Sequence, residues 1–90
     1  MALKKGVKIM ESILNGLRVW WHNNKKTLYE PVNNVEDAKV WIRGRAQQDL
    51  EDVFVIWNAG GLEVFEDGEW CEWYNEDGFD IMELMEQEDE

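Results

Sequence analysis

The ninety residues carry twenty acidic side chains against nine basic ones, a net charge of −11, which leaves room for one folded core and disfavours any surface that would grip nucleic acid. Six tryptophans, three phenylalanines and two tyrosines are too many rings for a disordered acidic tail. The single cysteine, Cys71, excludes an intrachain disulfide and a zinc site of cysteines, and no apolar run is long enough to cross a bilayer.

Leu3, Val7, Met10 and Leu14 recur at helical spacing, and Asn15 followed by Gly16 is a helix stop. Gly6 weakens that pattern, so residues 1–15 read either as an N-terminal helix or as an extension, with Met1 or Met10 as the functional start. Glu11, Ser12 and Asn15 interrupt the apolar residues that follow Lys4, Lys5 and Lys8, and no small-residue cleavage site follows. No signal peptide is expected, and the compartment expected is the cytoplasm.

Residues 17–21 form a strand with Leu17, Val19 and Trp21 on one face. Residues 22–26, His22 among them, make a turn, and residues 27–32 return as a strand whose Pro31 marks a sheet edge. Asn33 or Asn34 caps a helix over residues 35–50, with Glu36 and Asp37 in its first turn, where the helix dipole favours them. Ala38, Trp41, Ile42, Ala46 and Leu50 make its apolar stripe, and Lys39, Arg43, Gln47 and Gln48 face outward. Gly44 costs that helix about 1 kcal/mol.

The unbroken apolar run Val53, Phe54, Val55, Ile56, Trp57 reads as a central strand, and residues 58–61, with Gly60 and Gly61, as a loop. Residues 62–65 make a strand, Asp67 and Gly68 supply a two-residue type I′ turn, and residues 69–74 complete the hairpin. On that last strand Trp70, Glu72 and Tyr74 share one face, and Glu69, Cys71 and Trp73 the other. Phe79, Met82, Leu84 and Met85 suggest a short C-terminal helix, and residues 86–90 a frayed acidic tail. The fold expected is a single α+β domain: an antiparallel sheet of four to five strands in the order β-β-α-β-β-β, covered by one helix. Its core should hold Trp41, Ile42, Ala46, Val55, Trp57 and Val64.

The residues offer little for catalysis. His22 is the only histidine and sits among asparagines, while Ser12 and Thr27 are the only hydroxyl residues besides the tyrosines. The carboxylate beside Cys71 raises the thiol pKa and makes it a poor nucleophile. Glu66, Asp67 and Glu69, or Glu76, Asp77 and Asp80, lack the spacing of a calcium loop, and Gly60 and Gly61 have no lysine or helix start suited to a phosphate. No catalytic residue, metal site or cofactor is expected.

Charge is the stronger signal. Residues 1–45 hold all nine bases and four acids, and residues 46–90 hold the other sixteen acids and no base. Within residues 63–80, Glu63, Glu66, Asp67, Glu69, Glu72, Glu76, Asp77 and Asp80 are interleaved with Phe65, Trp70, Trp73, Tyr74 and Phe79. Same-face strand residues stand about 6.5–7 Å apart, near the phosphate spacing of one nucleic-acid strand. The carboxylates, together with Trp70 and Trp73, form the expected partner-binding set. The partner expected is a basic or nucleic-acid-binding protein, without direct binding of nucleic acid or membrane.

Residues 61–74, preceded by the helix over residues 35–50, resemble the small acidic reading frames of phages and prophages, and the chain is similar in size and charge to phage inhibitors that imitate DNA, the anti-restriction and anti-CRISPR proteins. The likeness implies a non-enzymatic inhibitor or adaptor acting in a bacterial host cytoplasm, and transfers no individual residue. Two other readings stay open: a homodimer or larger assembly in which the oppositely charged halves pair between copies, and a small-ligand domain that uses the tryptophan-rich hairpin as a stacking platform.

Overall fold

Alternation of apolar and polar side chains builds two hairpins that join into one sheet. The computed structural model describes residues 16–89. Strands β1 (Leu17–Asn23) and β2 (Thr27–Val32) are followed by helix α1 (Val35–Glu51), strands β3 (Asn58–Glu66) and β4 (Glu69–Glu72), and helix α2 (Ile81–Glu88). The sheet order is β2-β1-β3-β4 with every pair antiparallel, an α+β fold of four strands and two helices.

In β1, Leu17, Val19, Trp21 and Asn23 point toward the helices, and Arg18, Trp20 and His22 toward the open face. The register sets Val19 against Leu62 and Trp21 against Gly60. Val19, Trp21, Val32, Ala38, Ile42, Leu62, Ile81 and Met85 form the core between sheet and helices. Fully buried aliphatic side chains such as Ile42, Leu62 and Ile81 each contribute about 1.5–3 kcal/mol. The Asn34 side chain caps α1 by accepting from the Asp37 N–H at 2.8 Å. α2 opens with a capping box, in which Asp80 accepts from the Glu83 N–H and Glu83 accepts from the Asp80 N–H.

The first hairpin, α1, its Asn34 cap and the hairpin turn at Asp67 and Gly68 follow the sequence expectation, and β2 with Pro31 is an edge strand. Several expectations are corrected. Residues 53–57 form no strand; they are an irregular loop with Phe54 and Ile56 in solvent. Residues 58–61 are the first half of β3 rather than a loop, and His22 belongs to β1 rather than to the turn. β4 stops at Glu72, and α2 continues to Glu88, so Glu86 and Glu88 are helical rather than frayed. Of the expected core, Ile42 is buried and Trp41, Ala46, Val55 and Val64 are half-buried, while Trp57 is exposed. The helix over residues 1–15, with Leu3, Val7, Met10 and Leu14, and the tail residue Glu90 lie outside the described residues.

Two α1 side chains exchange the roles expected of them. Leu50 is 80 % exposed, whereas Lys39 is buried, its ammonium donating to Glu88 at 2.8 Å and Glu36 at 3.1 Å. Nothing near Lys39 in the sequence announces this, because its second carboxylate comes from α2. Its pKa is raised chiefly by the hydrogen bond to Glu88, which outweighs the opposing effect of burial. A raised lysine pKa stabilises the fold fully below the ordinary value of 10.5, and that stability is lost as pH rises through the folded-state pKa. Lys39→Met should therefore flatten the alkaline arm of the thermal-midpoint profile relative to the native chain.

Candidate functional site

The β3–β4 hairpin carries most of the expected partner-binding residues. Asp67 at φ 52° and Gly68 at φ 84° give the left-handed pair that a two-residue hairpin turn requires. The register then sets Glu63 opposite Glu72 and Glu66 opposite Glu69. Like charges placed directly across a strand pair are destabilising, each such pair by a fraction of a kcal/mol. A hairpin selected for stability alone would not combine two of them.

The ten expected residues divide by surroundings. Glu63 accepts from Arg18 Nε at 2.8 Å and is half-buried. The same guanidinium lies 4.2 Å from the ring centroids of both Tyr29 and Trp70, so one face of the Trp70 ring is covered by Arg18. Phe65 meets Trp70 edge-on at 5.3 Å. Glu72 accepts from Trp20 Nε1 at 3.3 Å; burial raises its pKa against that hydrogen bond, helped by the charges of Asp80 and Glu63. Trp73 turns to the helix face and packs on the core, and Asp80 is engaged as the α2 cap.

Glu66, Asp67 and Glu69 at the hairpin tip and Glu76 and Asp77 in the following turn remain exposed. Among the described residues none of these five forms an ion pair. Cys71 registers the resulting field: burial raises its thiol pKa, and Glu69, Glu66, Asp67 and Glu63 raise it further.

The opposite end of the sheet carries a surface that sequence reasoning missed. Asn24, in the β1–β2 turn, donates through Nδ2 to the Phe54 carbonyl at 2.8 Å and accepts through Oδ1 from the Ile56 N–H at 2.9 Å. Asp52 accepts from the Phe54 N–H at 2.9 Å and from Lys25 at 2.8 Å, and His22 packs tilted against Trp57 at 5.0 Å. The backbone of the loop is thus satisfied by side chains, while Val53 at 84 %, Phe54 at 74 % and Ile56 at 79 % stand in solvent. Beside them runs an open groove of about 980 Å³ between the C-terminal half of α1, the loop and α2, with Ile42, Ala46, Leu50, Met82 and Met85 in its walls. The readable signal was the Asp-x-Phe step at Asp52, where a side chain hydrogen-bonds the backbone two residues on and ends the helix in a turn.

Asp49 locks this end. It is buried, and its Oδ2 accepts from Trp21 Nε1 at 2.9 Å, Asn23 Nδ2 at 3.1 Å and Asn58 Nδ2 at 3.3 Å. Arg45 Nε stands 3.3 Å from Oδ1 as an ion pair, without the alignment of a hydrogen bond. Burial pushes the Asp49 pKa up, but the three donors and Arg45 together hold it below the ordinary 3.8. A carboxylate so fully engaged serves the fold rather than a reaction. Cys71, half-buried with its pKa raised, is no activated nucleophile. Among the described residues no group of three or more His, Cys, Asp or Glu side chains is arranged to hold a metal, and no helix is long and apolar enough to cross a membrane.

Comparison of the chain with family models, curated proteins and solved structures returns no match.

Proposed function

We propose that this chain is a non-enzymatic protein-binding module whose acidic hairpin end engages the basic face of a nucleic-acid-binding protein by imitating DNA. The observation that carries the reading is the hairpin tip: Glu66, Asp67 and Glu69 are exposed on a tight turn and form no ion pair among the described residues, and the facing Glu66 and Glu69 come at a cost to the fold. Fixed carboxylates on a stiff scaffold favour fast association with a positively charged surface and lose little freedom on binding. The inhibitor or adaptor role, the phage setting and the bacterial cytoplasm belong to this same proposal.

The test uses the chain immobilised and challenged with DNA-binding proteins fractionated on heparin. Capture should be reversed by duplex DNA and weaken as salt rises, because screening acts on exposed charges. The triple variant Glu66→Lys, Asp67→Asn, Glu69→Lys should lose that capture with an unchanged thermal midpoint; asparagine is chosen at residue 67 because it tolerates positive φ. Capture indifferent to DNA, to salt and to the triple variant would overturn the reading.

A further inference from the structure

We infer that the apolar end of the sheet is a self-association surface, where a second copy of this chain docks reciprocally, Phe54 of each copy entering the groove of the other. Three observations converge on a second copy as the occupant.

The first is shape. A protruding apolar loop and an apolar groove lie side by side on one surface, and a two-fold axis between copies places each loop against the opposite groove. The second is rigidity. Asn24 and Asp52 hold the backbone of the loop, so Val53, Phe54 and Ile56 are presented in a fixed arrangement without an ordering penalty on binding. A pinned, solvent-exposed cluster of large apolar side chains marks an interaction site.

The third is charge. Two copies at −11 each repel, so any contact between them must avoid the acidic surfaces. The apolar end is where that condition is met. Lys25 pairs with Asp52, Arg45 with Asp49, and Arg43 stands 3.9 Å from Asp89. Among the described residues Lys26 and Glu51 add one charge of each sign without pairing, and Glu86 is the surplus. The acidic hairpin tip lies at the other end of β3, about 26 Å away along the strands at the usual rise per residue. Docking through the apolar end would keep the two acidic ends apart, both facing outward and both free. A basic partner, by contrast, has nothing to seek at a surface where the charges nearly cancel.

Sedimentation equilibrium of the full chain, from low micromolar to near-millimolar concentration, tests this. The native chain should reach twice the monomer mass, and added salt should sustain or favour the doubled species, since screening removes repulsion between like-charged copies. Phe54→Glu and Ile56→Glu, each at a side chain already in solvent, should halve the mass at matched concentration with unchanged circular dichroism. Leu50→Glu, in the groove wall, should do the same from the receiving side. The triple hairpin variant should keep the doubled mass, which separates failure here from failure of DNA mimicry. A single-chain mass throughout, or doubled mass in all three glutamate variants, would overturn the inference.

Discussion

Asp49→Ala should remove a large share of the chain's stability, about 3–5 kcal/mol. The substitution leaves the indole N–H of Trp21 without its partner in a buried setting, strips Asn23 and Asn58 of the acceptor they share, and leaves Arg45 without its counter-charge. Breaking a buried, hydrogen-bonded charge from one side costs about 3–5 kcal/mol, against a total stability on the order of 5–15 kcal/mol for a domain of this size. Urea titration of the native chain and the variant measures the difference. Asp49→Asn keeps an acceptor and the volume, so it should recover part of the loss. The pH dependence carries the opposite sign to that of Lys39. A carboxyl whose folded-state pKa is depressed stabilises above its unfolded value, and that contribution is lost as pH falls through the folded-state pKa. Below the ordinary 3.8 the native chain should converge on Asp49→Asn in stability, whereas a constant gap across that range would show that Asp49 acts by shape alone.

The features legible in the sequence are those whose causes are local. Period-two alternation located β1, the polar turn and Pro31 located β2 as its returning edge strand, the Asn34 cap with Glu36 and Asp37 located α1, and Asp67 with Gly68 fixed the second hairpin turn. The run from Val53 to Trp57 misled because β-branched and aromatic residues report a preference for pleated, half-covered surfaces without saying whether a partner strand exists. Here α1 delivers the chain to the end of the sheet where β3 must begin, and the intervening residues are consumed in hooking around the β1–β2 turn through Asn24. Lys39 was unreadable for a similar reason, since Glu88 reaches it from α2.

The candidate site was legible as composition and only partly as geometry. The count of carboxylates in the second half of the chain was plain, and strand alternation correctly separated Trp70 and Glu72 from Cys71 and Trp73. That Arg18 would reach across from β1 to Glu63 and cover Trp70 required the sheet order β2-β1-β3-β4, which no local pattern supplies. Asp80 could have been read as a cap, because Glu83 follows three residues later in the spacing of a capping box. The apolar surface of residues 53–57 emerged only once those side chains failed to find a place inside.

Gly60→Ala should destabilise the chain by about 3 kcal/mol, the upper part of the range for overpacking a core, and Gly61→Ala by clearly less. Both glycines lie inside β3, where the larger residue would ordinarily be favoured. The reason they are glycines is on the neighbouring strand: Gly60 stands opposite Trp21 and Gly61 opposite Trp20. A Cβ at residue 60 would fall on the six-membered ring of Trp21, closer than real Cβ contacts come. Trp21 is 1 % exposed, packed edge-on against Trp41 at 6.2 Å, and tied by its indole N–H to Asp49, so it has nowhere to move. A Cβ at residue 61 would instead meet the indole of Trp20 and the carboxylate of Glu72, on the open face. Trp20 is only half-buried and can swing outward, at the expense of its 3.3 Å hydrogen bond to Glu72. The two variants therefore separate in kind. Gly60→Ala should lower the denaturation midpoint and disturb the near-ultraviolet signal of the buried tryptophans. Gly61→Ala should shift the fluorescence of the half-buried Trp20 and, by breaking a hydrogen bond that favours the carboxylate, make Glu72 harder to ionise, while leaving the midpoint nearly in place. Equal losses of stability from both substitutions would mean that the open-face indole is held as firmly as the one in the core.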